Sequence, residues 1–324
     1  MKKINIAVLM GGQSSEHEVS LASGWMILGA LDKNKYRVLP VIISQKGEWR
    51  FESGEKVQKL ELGGALQELI RKRIDCVFIA LHGPFGEDGR IQAILELAGI
   101  PYTGSGVLAS AMAMDKAATK KILAGVGILM PRHVILKKDF RPAELKNIKL
   151  PVVVKPIGQG SSVGISIVKK NKDLLGALQE SFRFESAAML EEFIPGREIT
   201  AAVLGNRKPV ALPLIEIRPK VSYFFDYRAK YEVGGSDEIC PAPVSRILTK
   251  KIQAMALKAH RLLDCRGVTR SDFILKGDKP YFLEINTIPG MTKASLVPQA
   301  AAEAGLSFPK LLDELIELAL FGDR

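Results

Sequence analysis

The chain has 324 residues, 47% of them hydrophobic and 25% charged, enough for two or three domains with cores of their own. These values exclude a disordered or collagen-like chain, and no run approaches the roughly 20 apolar residues of a membrane-spanning helix. Lys and Arg (46) exceed Asp and Glu (35) for a net charge of +11, but aromatics are 6% and no basic run is interleaved with them, which argues against nucleic acid and leaves an anionic small ligand or a basic proteome.

Residues 4–9 (INIAVL) form an apolar run ending at Gly11-Gly12, a buried parallel strand entering a loop rather than a signal peptide. A cytoplasmic protein without membrane or nucleic-acid partners is therefore expected. A helix follows, patterned on Leu21, Trp25, Leu28 and Leu31. Residues 38–43 and 77–81 read as further strands, and 65–71 and 89–98 as helices. Strands alternating with helices imply a doubly wound parallel sheet over 1–103, an α/β domain with its ligand site at the strands' carboxyl ends. Residues 104–127 read as one Ala/Met-rich helix, and short strands and helices alternate to about 190. Beyond that, 199–217, 268–276 and 281–286 are strand-like, while 246–263 and 308–321 are helical. The segment 218–245 mixes aromatics, Gly and Pro without a period, as functional loops often do. The three cysteines (Cys76, Cys240, Cys265) are far apart and lack a CxxC pair, so they are expected to be reduced.

Three places could carry chemistry. Lys155 ends an apolar strand and precedes Gly158-Gln-Gly160-Ser161-Ser162-Val163-Gly164. Loop amides plus an ammonium can hold polyphosphate, though a plain hairpin turn with an exposed lysine has the same pattern. No Walker A loop occurs. Near the C-terminus, Gly277-Asp278 marks a hairpin turn. Asp272 then falls opposite Glu284, give or take one residue, with Arg270 and Asn286 on the same face. Three oxygen-bearing side chains there suit a hard cation; a half-solvated sheet face explains them equally. The third place is His82-Gly-Pro-Phe-Gly86-Glu87-Asp88-Gly89, where the histidine serves either structure or catalysis.

In order and spacing, GGQSSEHEVSLASG (11–24), HGPFGEDG (82–89), VKP…GSSVG (154–164), RSD (270–272) and LEINTIPGMT (283–292) resemble the D-alanine–D-alanine ligases of the ATP-grasp superfamily over nearly the whole chain. The resemblance implies an ATP-grasp fold, α+β in its C-terminal parts, behind the N-terminal domain. The units would be an N-terminal substrate domain (1–103), a central subdomain (104–190) and a C-terminal subdomain (191–324) with a mobile ω-loop at about 218–245. It implies ATP-dependent, ADP-forming ligation of two D-alanines through a D-alanyl phosphate, for peptidoglycan precursors, in a homodimer. D-lactate or D-serine is the alternative acceptor. A non-catalytic basic binding protein on the same scaffold is a third reading, opposed by the intact acidic trio.

Residue by residue, Lys116 and Lys155 match lysines on the ATP phosphates, and Ser161 matches the serine of a loop closing over them. Glu191 would accept from the adenine amine, with Phe193 and Ile194 lining its pocket and Glu198 on the ribose. Lys230 and Tyr231 match the ω-loop. Asp272, Glu284 and Asn286 match ligands of two Mg²⁺ or Mn²⁺ ions. Arg270 and Gly290 match groups around the tetrahedral intermediate. Glu16 matches the acid binding the first D-alanine's ammonium, with His82 nearby, and Ser295 and Leu296 match the second alanine's carboxylate site. A Ser161–Glu16–Tyr231 connection would pin the lid, and Tyr231 favours a dipeptide product. His17, Ser271 and Lys293 depart from the family pattern.

Overall fold

The computed structural model describes residues 3–53, 56–161, 163–220 and 234–322. Lys230 and Tyr231 lie outside the described residues, as does the centre of the 218–245 segment. The helices described are α1 (His17–Ala30), α2 (Leu62–Arg71), α3 (Arg90–Leu97), α4 (Val107–Met114), α5 (Lys116–Ala124), α6 (Asn171–Ser181), α7 (Arg246–Leu262), α8 (Leu296–Glu303) and α9 (Phe308–Leu320). Among the described residues no helix is long and apolar enough to cross a membrane.

The first sheet contains β1 (Ile4–Gly11), β2 (Tyr36–Ile43), β3 (Trp49–Ser53), β4 (Lys56–Leu60) and β5 (Cys76–Ile79), in the order β4-β3-β2-β1-β5. β1 runs parallel to β2 and β5, which puts their carboxyl ends on one edge. β1 carries no polar face because both sides are covered. Ile6, Val8 and Met10 pack with Ile27 of α1 and with Leu311 and Leu315 of α9. Ala7 and Leu9 pack with Leu69 of α2 and with Ile91 and Leu95 of α3. The antiparallel pair β3–β4 extends the sheet, an addition absent from the sequence reading.

Helix α1 turns a different face inward from the one its large apolar residues suggested. It buries Ser20, Ser23, Gly24 and Ile27, while Trp25 is 48% exposed. Close approach explains this: a Cβ on Gly24 would lie 2.6 Å from the Cβ of Met10 on β1. Small residues bring α1 down onto the strand, so that Ser20 Oγ can accept from the Gly11 N–H at 2.8 Å and donate to the Ala80 carbonyl at 2.7 Å. The 104–127 region is likewise two helices, not one. Asp115 breaks it and caps α5, its side chain accepting from the Ala118 N–H at 2.9 Å.

The second sheet, β6 (His133–Lys137), β7 (Val152–Pro156), β8 (Ser166–Val168) and β9 (Ala187–Glu192), is antiparallel in the order β6-β9-β7-β8. It has its own core, with Val154, Leu174, Leu178 and Leu190. The third contains β10 (Arg197–Leu204), β11 (Val210–Ala211), β12 (Ile215–Pro219), β13 (Ser236–Ile239), β14 (Val268–Lys276) and β15 (Lys279–Asn286). Its order is β13-β12-β10-β14-β15, with β11 on β10. One of its faces packs on α4, α5 and α7 through Ala109, Leu123, Ile252 and Phe273. Ala202 and Leu204 join the cluster of the first sheet. The second and third sheets face each other across the site. Cys76 and Cys265 are buried and Cys240 is partly buried, and all three are free thiols.

Candidate active site

The β14–β15 ladder pairs Asp272 with Glu284 and Arg270 with Asn286. Residues two apart on a strand share a face, so all four side chains project the same way, while Ser271 is fully buried on the other side. Arg270 holds Asp272 with two parallel bonds, Nε to Oδ1 at 2.8 Å and Nη2 to Oδ2 at 2.7 Å. Thr200, on neighbouring β10, donates to the same Oδ1 at 2.9 Å. Glu284 lies 3.3 Å from Lys116 Nζ. The donor set of Asp272, Glu284 and Asn286 is all oxygen, which suits Mg²⁺ or Mn²⁺. Among the described residues no group of three His, Cys, Asp or Glu side chains is placed to hold a metal. A divalent cation at this face therefore needs the Asn286 amide and ligand oxygens to complete its shell, the usual arrangement with phosphates.

Facing this hairpin is a cleft of about 1030 Å³ between the second and third sheets. Its apolar half includes Val153, Ile167, Phe193, Ile194 and Ile274, and its polar half includes Lys155, Glu191, Glu198, Asp272 and Glu284. Strand β7 delivers Lys155, whose Nζ donates to Glu191 Oε2 at 2.6 Å. The other oxygen of Glu191 is 2.5 Å from Nζ of Lys120, which has no exposed surface. Burial alone would raise the Glu191 pKa, but the two lysines outweigh it and hold the carboxyl below the usual range. Burial, reinforced by Lys155, pulls the Lys120 ammonium below the ordinary lysine value despite Glu191. The cleft wall thus carries a buried cation–anion–cation row.

A second cleft, of about 1360 Å³, is lined by Glu16, His82, Ser161, Arg270, Glu284, Asn286, Gly290, Ser295 and Leu296. Glu284 therefore belongs to both clefts. The Gly-rich loop forms part of the boundary. Lys116 Nζ donates to the Gln159 carbonyl at 2.7 Å, and the Ser161 hydroxyl donates to Glu16 Oε1. Ser161 has φ +47°, a left-handed conformation that costs energy outside glycine. The Glu16 carboxylate is enclosed by backbone: a Cβ on Gly83 or Gly160 would lie 2.6 or 2.7 Å from Oε2. A side chain at either position would have to push the Glu16 carboxylate aside.

His82 is held from both sides. Its Nδ1 lies 3.0 Å from the Ile288 carbonyl and so donates to it. Its Nε2 is 2.9 Å from Ser23 Oγ, and that oxygen also accepts the Met291 N–H at 3.3 Å. The hydroxyl proton is therefore free to point at Nε2. Burial opposes charge on the ring, but Glu87 (Oε1 3.7 Å from Nδ1), Glu16 and the carbonyl outweigh it and raise its pKa. Burial raises the pKa of Glu87 as well.

The N-terminal domain model of the D-ala D-ala ligases matches residues 5–105, and their C-terminal domain model matches residues 123–317. The chain is 45% identical to the D-alanine–D-alanine ligase of Syntrophobacter fumaroxidans, covering 98% of each chain. The chain belongs to the D-alanine–D-alanine ligase family. Among solved structures, the VanG D-Ala:D-Ser ligase of Enterococcus faecalis superposes with a TM-score of 0.87 at 34% identity, covering 98% of this chain and 100% of that one. The Bacillus anthracis D-alanine–D-alanine ligase in complex with ATP gives 0.80 at 35%, covering 98% and 97%. The fold is accordingly that of the ATP-grasp ligases, with three sheets and no barrel among the described residues.

Of the sequence-derived residues, one cleft gathers Lys155, Glu191, Phe193, Ile194, Glu198, Asp272 and Glu284, and the other gathers Glu16, His82, Ser161, Arg270, Asn286, Gly290, Ser295 and Leu296. Lys116 bridges loop and hairpin. Lys230 and Tyr231 lie outside the described residues. Glu191 lines its cleft with both oxygens already facing lysines. Sequence reasoning passed over Lys120, Thr200, Ser23 and Glu87. Lys120 left a signal, since it follows Lys116 by four residues on a helix and so shares its face.

Proposed function

We propose that this enzyme joins two D-alanines to D-alanyl-D-alanine, converting ATP to ADP and phosphate through a D-alanyl phosphate intermediate. The observation that carries the reading is the common wall: Glu284 belongs to the nucleotide-sized cleft and to the second, more polar one, with Arg270, Lys116 and Lys155 around it. Two anions, a carboxylate and the terminal phosphate, must meet there, and three cationic side chains offset their repulsion.

In this reading adenine lies against Phe193 and Ile194 beside Glu191, and ribose reaches Glu198. The triphosphate takes Lys116 and Lys155, with Lys230 closing from the ω-loop. Glu16 holds the first D-alanine's ammonium near His82. An oxygen of that alanine's carboxylate attacks the γ-phosphorus, the bridging P–O bond to ADP breaks, and an acyl phosphate forms. The second D-alanine, its carboxylate at Ser295 and Leu296, attacks the acyl carbon with its free amine. Arg270 and the Gly290 backbone stabilise the tetrahedral oxyanion as it forms. Phosphate leaves and the amine proton is released. Asp272, Glu284 and Asn286 would hold two Mg²⁺ or Mn²⁺ ions, which when bound neutralise phosphate charge. Positioning two small substrates and excluding water, which would hydrolyse the acyl phosphate, supply much of the rate. The Ser161–Glu16 bond and Tyr231 would keep the loop over the site.

The product serves peptidoglycan precursors, and hence cell shape, in the cytoplasm, and the enzyme works as a homodimer. The likeness to a D-Ala:D-Ser ligase makes D-serine the acceptor to compare, with D-lactate as a control. In the test, ADP release from ATP and Mg²⁺ is followed with and without D-alanine. D-alanine should stimulate it strongly and yield dipeptide as the main product. No stimulation refutes the ligase, and preferred consumption of D-serine or D-lactate in mixed-acceptor assays refutes the acceptor assignment.

A further inference from the structure

We infer that Glu185 is a positioning residue: its carboxylate anchors the hinge of the Gly-rich loop that carries Ser161. This rests on the ligase reading above. Glu185 lies just before β9 and does not line either cleft. Its Oε1 accepts the Gly158 N–H at 2.8 Å and its Oε2 accepts the Ile157 N–H at 3.1 Å. These are the two amides where the chain leaves β7, immediately after Lys155-Pro156. Bonds from amides to a charged acceptor are about twice as strong as neutral ones.

The far end of the loop rests on the adjacent residue. A Cβ on Gly164 would lie 2.9 Å from the Phe184 ring and 2.9 Å from Pro156 Cγ, so only glycine lets the returning chain pass there. Between these ends the loop touches the site. The Lys116 N–H donates to the Ile157 carbonyl at 3.2 Å, Lys116 Nζ holds Gln159, and Ser161 reaches Glu16. Phe184 and Glu185 thus form a post from which the loop hangs, and both carboxylate oxygens take the hinge amides. Those two N–H groups are consequently committed to Glu185, and phosphate is met by groups further along the loop and by the lysines. Without the carboxylate the hinge amides turn to solvent, and the loop's closed position loses its fixed origin.

The experiment compares wild type with Glu185→Ala, Glu185→Gln and Glu185→Asp. Hydrogen exchange at Ile157 and Gly158 in the ligand-free enzyme should speed up in the Ala variant, with Gln intermediate and Asp close to wild type. ATP affinity by calorimetry and KM for ATP should worsen about tenfold in the Ala variant, the worth of roughly one charge-assisted bond. Phosphate released per dipeptide should rise above one as water reaches the acyl phosphate. A merely structural role would lower kcat through a smaller folded fraction, leaving KM and the phosphate-to-dipeptide ratio unchanged. That pattern, or unaltered exchange at both amides, overturns the proposal. Should the Ala variant not fold, the Gln and Asp variants decide by the same readouts. If the wild type shows no D-alanine-stimulated turnover, the ligase reading fails while exchange and ATP binding still judge the anchor.

Discussion

Replacing Glu191 by Gln tests the buried charge row from its centre. Lys120 has no exposed surface and Glu191 is 2% exposed, with contacts of 2.5 and 2.6 Å to the two lysines. The amide keeps the shape but removes the negative charge that the two ammonium groups share. Stranding a buried charge in this way costs about 3–5 kcal/mol. Lys120→Met should cost less, about 1–2 kcal/mol, because Glu191 keeps Lys155 as its partner. The double variant should then be more stable than Glu191→Gln alone, since the stranded ammonium has gone and Lys155 can reach cleft water. Urea unfolding of all four proteins gives the cycle, with a coupling of 0.5–3 kcal/mol expected for contacting charges. ATP titration should show Glu191→Gln weakened more than Lys120→Met, because Lys155 loses its anchor. Equal losses for the two single variants, or a double variant less stable than either, would refute the assignment of Glu191 as the shared counter-charge.

The hairpin predicts that Glu284→Ala abolishes turnover, and near-normal activity at saturating Mg²⁺ would contradict its role. His260 gives a pH dependence. Burial pushes its pKa down to about 4, with Nε2 donating to the Gly205 carbonyl at 3.1 Å and Nδ1 facing Thr269 Oγ1 at 2.8 Å. The unfolded histidine, at about 6.5, binds its proton first. The stability this group contributes is thus complete above pH 6.5 and lost as pH falls towards 4, by up to about 3 kcal/mol. Denaturation at pH 7 and 4.5 should show a slope that His260→Gln flattens. Gly24→Ala should cost about 1–3 kcal/mol by forcing α1 off β1; an unchanged melting temperature would mean that Met10 moves aside freely.

What the sequence made legible depended on how locally each feature is encoded. The runs at 4–9, 38–43 and 77–81 became the parallel strands, because a strand covered on both faces must be apolar throughout. The Gly277-Asp278 turn predicted a register that the ladder repeats, with Asp272 opposite Glu284. The α1 face was hidden because its contact depends on small size, whereas periodicity counts large side chains. Trp49 and Phe51 are buried in β3, but the short, charged strands beside them weakened the hairpin signal. Lys120 and Glu185 went unnoticed for a related reason. Their partners lie 71 and about 27 residues away in the chain, and a charged residue's address in three dimensions leaves no local trace.

The distribution of apolar clusters bears on how a substrate enters. One cluster joins Ile6 and Val8 of the first sheet to Ala202 and Leu204 of the third, welding those two units into a single block. The four-stranded unit of β6 to β9 keeps its oil to itself around Val154 and Leu178, and its ties to the block include Ser161 to Glu16, Lys116 to Gln159 and the buried Lys120–Glu191 pair. Polar ties can be exchanged for bonds to water as a cleft opens, whereas apolar contacts cannot. The β6–β9 unit is therefore the part expected to move when the nucleotide cleft opens, with the welded block standing still.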